Sequence, residues 1–160
     1  MPPTTPYTND LDGREPLAAM RDTVGRIRTL ANQWSPAQFE RSYAPGKWTA
    51  RQILIHLAQT ELALGNRARM ALSTPRYVAQ AFDQDLWIER DATLGGHDAL
   101  EALNAMSTMN RTMFASLSDG DRATTLSHPE YGALTVDWII HTIAGHQLHH
   151  LKQLEQIVGR

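Results

Sequence analysis

The sequence predicts an all-α fold, a four-helix bundle, from three observations. Apolar residues recur at three- and four-residue intervals through four segments of roughly 20 residues each. Two of those segments open on paired helix-start signals. Nowhere do apolar and polar residues alternate for long enough to make a convincing strand. Residues 1–13, with Pro2, Pro3 and Pro6 among polar neighbours, read as an N-terminal tail that either drapes over the body or stays mobile. Residues 14–160 form the bundle domain, and 160 residues suffice for one domain with a real core.

The first helix is expected from residue 14 to about 34, with Leu17, Met20, Val24, Ile27 and Leu30 on one face. Ser35 as a cap and Pro36 at the first helical position add one short turn, and "APGKW" then breaks the chain. The second helix opens on a capping box, Thr49 with Gln52, and a hydrophobic staple, Trp48 with Ile53. It runs to about Ser73, where Pro75 stops it. Residues 74–96 make a long connection carrying Tyr77, Phe82 and Trp87, a length at which connections often serve as lids or pocket walls. The third helix spans about 98–117, with Leu100, Leu103, Met106, Met113 and Leu117 on one face and the methionines filling core gaps. "SHPEYGALT" is a turn-rich link. Thr135 caps the fourth helix, with Leu134 and Ile139 as its staple, and Gly159 ends it. The two longer connections leave the topology open between a simple up-down bundle and one with a crossover.

Composition narrows the function. With 42% hydrophobic and 20% charged residues the chain is not of the disordered class. A net charge of -2 and the lack of any basic run argue against nucleic acid or an anionic membrane as partner. No stretch of 18 apolar residues occurs and the N-terminus lacks signal-peptide regions, so a cytoplasmic location is expected. Without cysteine there is no disulfide, thiolate ligand or catalytic thiol, and any metal must be held by histidine, carboxylate or water.

Four of the seven histidines lie in "HTIAGHQLHH", residues 141–150. They could be a solvated face, satisfied core residues or metal ligands, and their place on the helix separates them. With Val136 at zero and about 100° per residue, His150 falls at about -40°, inside the apolar stripe, and His146 at about -80°, on its edge. His141 and His149 turn outward. His146 and His150, four residues apart, can converge on one ion, and His149 is the reserve ligand. On the second helix His56 borders the core stripe in "ILIHLAQTE", among aliphatic residues that cannot satisfy two ring nitrogens. If these two helices are neighbours, His56, His146 and His150 meet, and three imidazoles with open positions describe a reactive divalent site. His97 and His128 read as a cap-region and a turn residue.

"WTARQILIHLAQTE", followed by "HPEYGALTVDWIIHTIAGHQLHHLKQL", resembles the DinB-like (DinB/YfiT) superfamily, from about residue 15 to the end. The resemblance implies a four-helix bundle of up-down-down-up topology, often dimeric. It implies a divalent ion, nickel or zinc first and iron or manganese after them, held by His56, His146 and His150. It also implies a small-molecule substrate, with hydrolysis or transfer using a low-molecular-weight thiol such as mycothiol or bacillithiol.

On the residues alone, an external thiol or a water would be acidified by such an ion. Candidate general bases are Glu61, which stands about 140° round the helix from His56, and Asp83 and Asp85 in the long connection. Gln147, in the middle of the core stripe, should hydrogen-bond across the bundle or line the pocket. Gln153 could orient a ligand imidazole. The rival readings are a metal-binding stress or interaction protein without turnover, and a plain bundle with structural histidines.

Overall fold

The structure, a computed structural model, describes residues 1–158; the expected stop at Gly159 lies outside them. Four long helices carry the body: α2 (Pro16–Ala31), α4 (Ala50–Ser73), α6 (Gly96–Ala115) and α8 (Val136–Val158). A short helix α1 (Thr8–Leu11) precedes them, and α3 (Pro36–Phe39), α5 (Gln84–Arg90) and α7 (Asp119–Arg122) lie between them.

Start signals explain most helix beginnings. Ser35 and Thr49 each form a full capping box, with Gln38 and Gln52 answering at the third position. Helix α2 begins later than the apolar pattern suggests, because the Glu15 carboxylate accepts from the Leu17 and Ala18 N–H groups and leaves Arg14 outside. The connection 74–95 is not featureless. Asp83 caps α5 through the Asp85 and Leu86 N–H groups, and Phe82 and Trp87 lie ring against ring at 4.5 Å.

The expectation of no strands is corrected. Thr125–His128 (β1) and Gly132–Thr135 (β2) pair antiparallel, with Leu126 opposite Leu134. Four residues per strand are too few for a period-two signal to stand out from a turn-rich link, and Leu134 occupies this ladder just ahead of α8. The long connection joins the same ladder edge, where Ala79 N–H donates to Ser127 O at 2.8 Å and Ser127 N–H to Tyr77 O at 3.0 Å.

Side-chain pairings fix the helix directions. Arg51, at the start of α4, donates to Ala92 O just before α6, and further along Asn110 of α6 donates to Glu61 of α4, so α4 and α6 run parallel. His97 at the start of α6 meets Trp34 O just past the end of α2, which makes those two antiparallel. Arg26 of α2 pairs with Glu155 of α8, both towards their helices' ends, which makes those two parallel. The bundle is therefore up-down-down-up, and the connection from α4 to α6 must run back along its length.

Two apolar clusters fill the interior. One is centred on Ile27, Ile53, Leu57, Leu100 and Leu154, the other on Met20, Phe114, Ile139, Ile140 and Ile143. The N-terminal segment packs on α8: Leu11 is buried, and the Trp138 indole N–H donates to Thr4 O. A Cβ on Gly145 would stand 2.6 Å from both Cβ and O of Tyr7, so glycine is what allows this close approach. No described helix is long and apolar enough to cross a membrane.

Candidate metal centre

His56 stands on α4 and His146 and His150 on α8, and the two helices pack side by side. All three side chains are buried, and their ligand nitrogens lie within 4.8 Å of one another. His146 Nε2 is 2.9 Å from His56 Nε2 and 3.0 Å from His150 Nε2. Burial drives all three pKa values down: His56 to about 3, His150 to about 4, and His146 well below the usual imidazole range, the neighbouring rings adding to the effect. They are neutral at pH 7, the form in which imidazole offers a lone pair.

Protons alone cannot satisfy this triangle. The Gln153 carbonyl, 2.7 Å from His150 Nδ1, can only accept, so His150 carries its proton there and its Nε2 is bare. His146 Nε2 then has at most one proton to direct at two nitrogens. A cation among the three Nε2 atoms removes the conflict. Ligands about 2.05 Å from a tetrahedral ion stand about 3.3 Å apart, a small outward adjustment from the spacing found. The residues fit a divalent metal.

The reserve ligand, His149, is not brought into the cluster. Its ring is 41% exposed, with Nδ1 3.5 Å from Asp10 Oδ2 and Nε2 3.3 Å from Gln153 Nε2. Gln153 thus bridges His149 and His150. His141 bonds back to Asp137 O on its own helix.

The candidate bases are scattered. Glu61, 1% exposed, is sunk between helices. It accepts from Asn110 Nδ2 at 2.6 Å and from Gln147 Nε2, the amide that falls within the core stripe. Burial raises its pKa from 4.5 to about 7 against the lowering effect of these hydrogen bonds, Asn110 foremost. Asn110 reaches this position because Gly65 has no side chain; a Cβ there would meet Asn110 Oδ1 at 2.3 Å. Asp83 is committed to capping α5. Asp85 lines a cleft with His150, Gln153, Trp48 and Lys47, on the outer side of the cluster.

The other side opens into a cavity of about 210 Å³ that reaches His56 and His146. Phe82 of the long connection walls it, while Trp87 is not among its lining residues. Several lining residues had not been singled out: Tyr7, Arg67, Trp138 and Thr142, together with His128, read as a turn residue but buried at the end of β1. Arg67 was findable, eleven residues beyond His56 and so about 20° from it on the same helix face. Tyr7 carried no such signal, because its place depends on the fold of a proline-rich segment. Its ring meets the His146 ring edge-on at 5.0 Å.

The model of the DinB superfamily matches residues 19–154 of this chain. The chain belongs to the DinB superfamily. Among curated relatives of this DinB-superfamily protein, "Putative metal-dependent hydrolase OB0782" of Oceanobacillus iheyensis is 29% identical over 124 residues, 77% of this chain and 72% of the relative. A second protein of that organism, "Putative metal-dependent hydrolase OB0413", is 23% identical over 145 residues, covering 90% and 84%. Among solved structures, YfiT from Bacillus subtilis, described as a probable metal-dependent hydrolase with an unusual four-helix bundle topology, superposes with a TM-score of 0.82 at 18% identity. That match covers 91% of this chain and 85% of YfiT. A mycothiol-dependent maleylpyruvate isomerase gives 0.73 at 17% identity, covering 94% of this chain and 63% of its own. Both likenesses are of fold.

Proposed function

We propose that this DinB-superfamily protein is a divalent-metal-dependent enzyme acting on a small molecule, with hydrolysis as the leading reaction. The observation that carries the reading is the cavity beside His56 and His146: an ion held by the three imidazoles would face a space able to take a substrate, not a sealed shell. That favours turnover over a metal-binding protein without activity. Three neutral imidazoles suit zinc or nickel. When bound, the ion supplies Lewis acidity that polarises a substrate carbonyl and acidifies a water or an incoming thiol.

The chain's own residues supply the rest. His56, His146 and His150 hold the ion, and Gln153 fixes the ring of His150. Phe82 and Leu64 give the cavity an apolar wall. Tyr7 lines the cavity as well, and burial raises the pKa of its hydroxyl, so the group stays protonated and able to donate a hydrogen bond. Relatives whose names point to metal-dependent hydrolysis support this choice of reaction. Thiol-dependent transfer is the second reading, suggested by the fold likeness to a mycothiol-dependent isomerase; the chain has no cysteine, so the thiol would be an external one.

The test begins with protein purified without an affinity tag and reconstituted with zinc or nickel. One tightly held ion per chain is expected, lost in His56→Ala, His146→Ala and His150→Ala. Loaded protein is then offered esters and amides, with and without small thiols. Metal content indifferent to all three substitutions would end the reading. Full loading with no turnover of any of these substrates would leave the non-catalytic binder in its place.

A further inference from the structure

We infer that the cavity beside the histidines is built for an organic carboxylate, with Arg67 as the anchor of its anionic end. This deepens the metal-site reading and rests on it for the cavity's role as substrate site.

Arg67 is an arginine that lacks a partner acid. Arg67 is 9% exposed, and among the described residues no carboxylate lies within ion-pair distance of it. Its guanidinium donates to Gln80 O and lies 5.7 Å from the centre of the Phe82 ring. Glu130, an exposed residue, acts on it only at longer range, as do Tyr77 and Tyr131. A buried charge without a counter-ion is costly, and an incoming carboxylate would recover that cost through two parallel charge-assisted hydrogen bonds.

A second observation is independent of the first. Thr60 of α4 and Thr142 of α8 both line this cavity, and the hydroxyl of each is buried without a hydrogen-bond partner. Buried hydroxyls are normally satisfied, and here a polar ligand would satisfy them. Leu64, Phe82 and Trp138 supply apolar wall between the polar ends.

Placement sets the ligand's length. Eleven residues of helix separate His56 from Arg67 by about 16 Å along the axis. Long side chains on a helix lean back towards its N-terminus, and Arg67 lines the same cavity as His56 and His146, so the ligand spans less than that rise. The ligand class is a short molecule with one carboxylate, a compact apolar body and its reactive group at the histidine end. One cation tempered by the charge of Glu130 suits a monoanion better than a phosphate dianion.

Hexanoate and hexan-1-ol serve as probes, titrated by NMR into the full chain both as purified and after chelator treatment. Hexanoate is expected to bind at least tenfold more tightly than the alcohol and to shift the Arg67 side-chain N–H signal. Arg67→Gln should abolish that preference, Arg67→Lys should reduce it several-fold, and Thr142→Val should weaken both probes. Equal binding of the two probes, shifts that map away from Arg67, or a preference unchanged in Arg67→Gln would overturn the assignment. Should Arg67→Gln fail to fold, the wild-type shift map and Arg67→Lys still decide. The chelator-treated arm separates the two failures. Loss of the metal reading appears in metal content, whereas loss of this one appears as indifference to charge in protein with or without metal.

Discussion

Gln153 does for His150 what no side chain does for His56 or His146, whose Nδ1 atoms are buried and unpartnered. Groups that hold the far nitrogen of a ligand imidazole fix its tautomer and aim its lone pair. Gln153→Leu is therefore expected to lower metal affinity by about 10- to 100-fold while leaving the fold intact, measured by competition with a chromogenic chelator. Unchanged affinity would show that packing alone orients the ring. Glu61 gives a pH signature of its own. Its pKa is raised from 4.5 to about 7, so the folded chain holds this proton more tightly than the unfolded chain. The stabilisation is full below about 4.5 and is lost as pH climbs through 7. Wild type should lose up to about 3 kcal/mol across that window relative to Glu61→Gln. Urea denaturation of both proteins across the window isolates this group, since the two chains differ only there; parallel curves would refute the assignment.

At the scale of elements, the N-terminal segment is the part most exposed to a single substitution. Gly145→Ala puts a methyl against Tyr7, and the cheapest relief is for the segment to lift from α8. Faster amide exchange over residues 4–12 is expected, with a loss of about 1–3 kcal/mol. Exchange rates equal to wild type would mean that α8 can shift instead. The sequence carried the elements unequally. Helices α4 and α8 were legible because their start signals and apolar stripes agree. The inward line of α6 was half legible. It begins with Leu100 and Leu103 as read, but continues through Ser107, Asn110 and Phe114, while Met106 and Met113 are only half-buried. Polar residues took core positions there because Asn110 and Glu61 satisfy each other across the α4–α6 interface, and a pairing between distant segments leaves no mark in either one's periodicity. The strands β1 and β2 were hidden by their shortness.

At the scale of the whole molecule, the cluster of His56, His146 and His150 was readable because each histidine falls inside or at the border of its own helix's apolar stripe, and α4 and α8 happen to be neighbours. The cavity was not readable. Its walls come from the N-terminal segment, α4, the 74–95 connection, the hairpin and α8, five stretches whose meeting depends on topology. The same topology explains why one of those walls exists. Since α4 and α6 point the same way, the intervening chain has to travel back over about 36 Å of helix before it can begin again. On that journey it deposits Phe82 at the cavity and ties itself down through Gln59, whose amide holds Trp87 O and Asp91. A bundle wired with short hairpins throughout would have no such traveller. In this arrangement the detour doubles as a roof, so residues that change there can retune what the chamber admits while the four pillars beneath keep their packing.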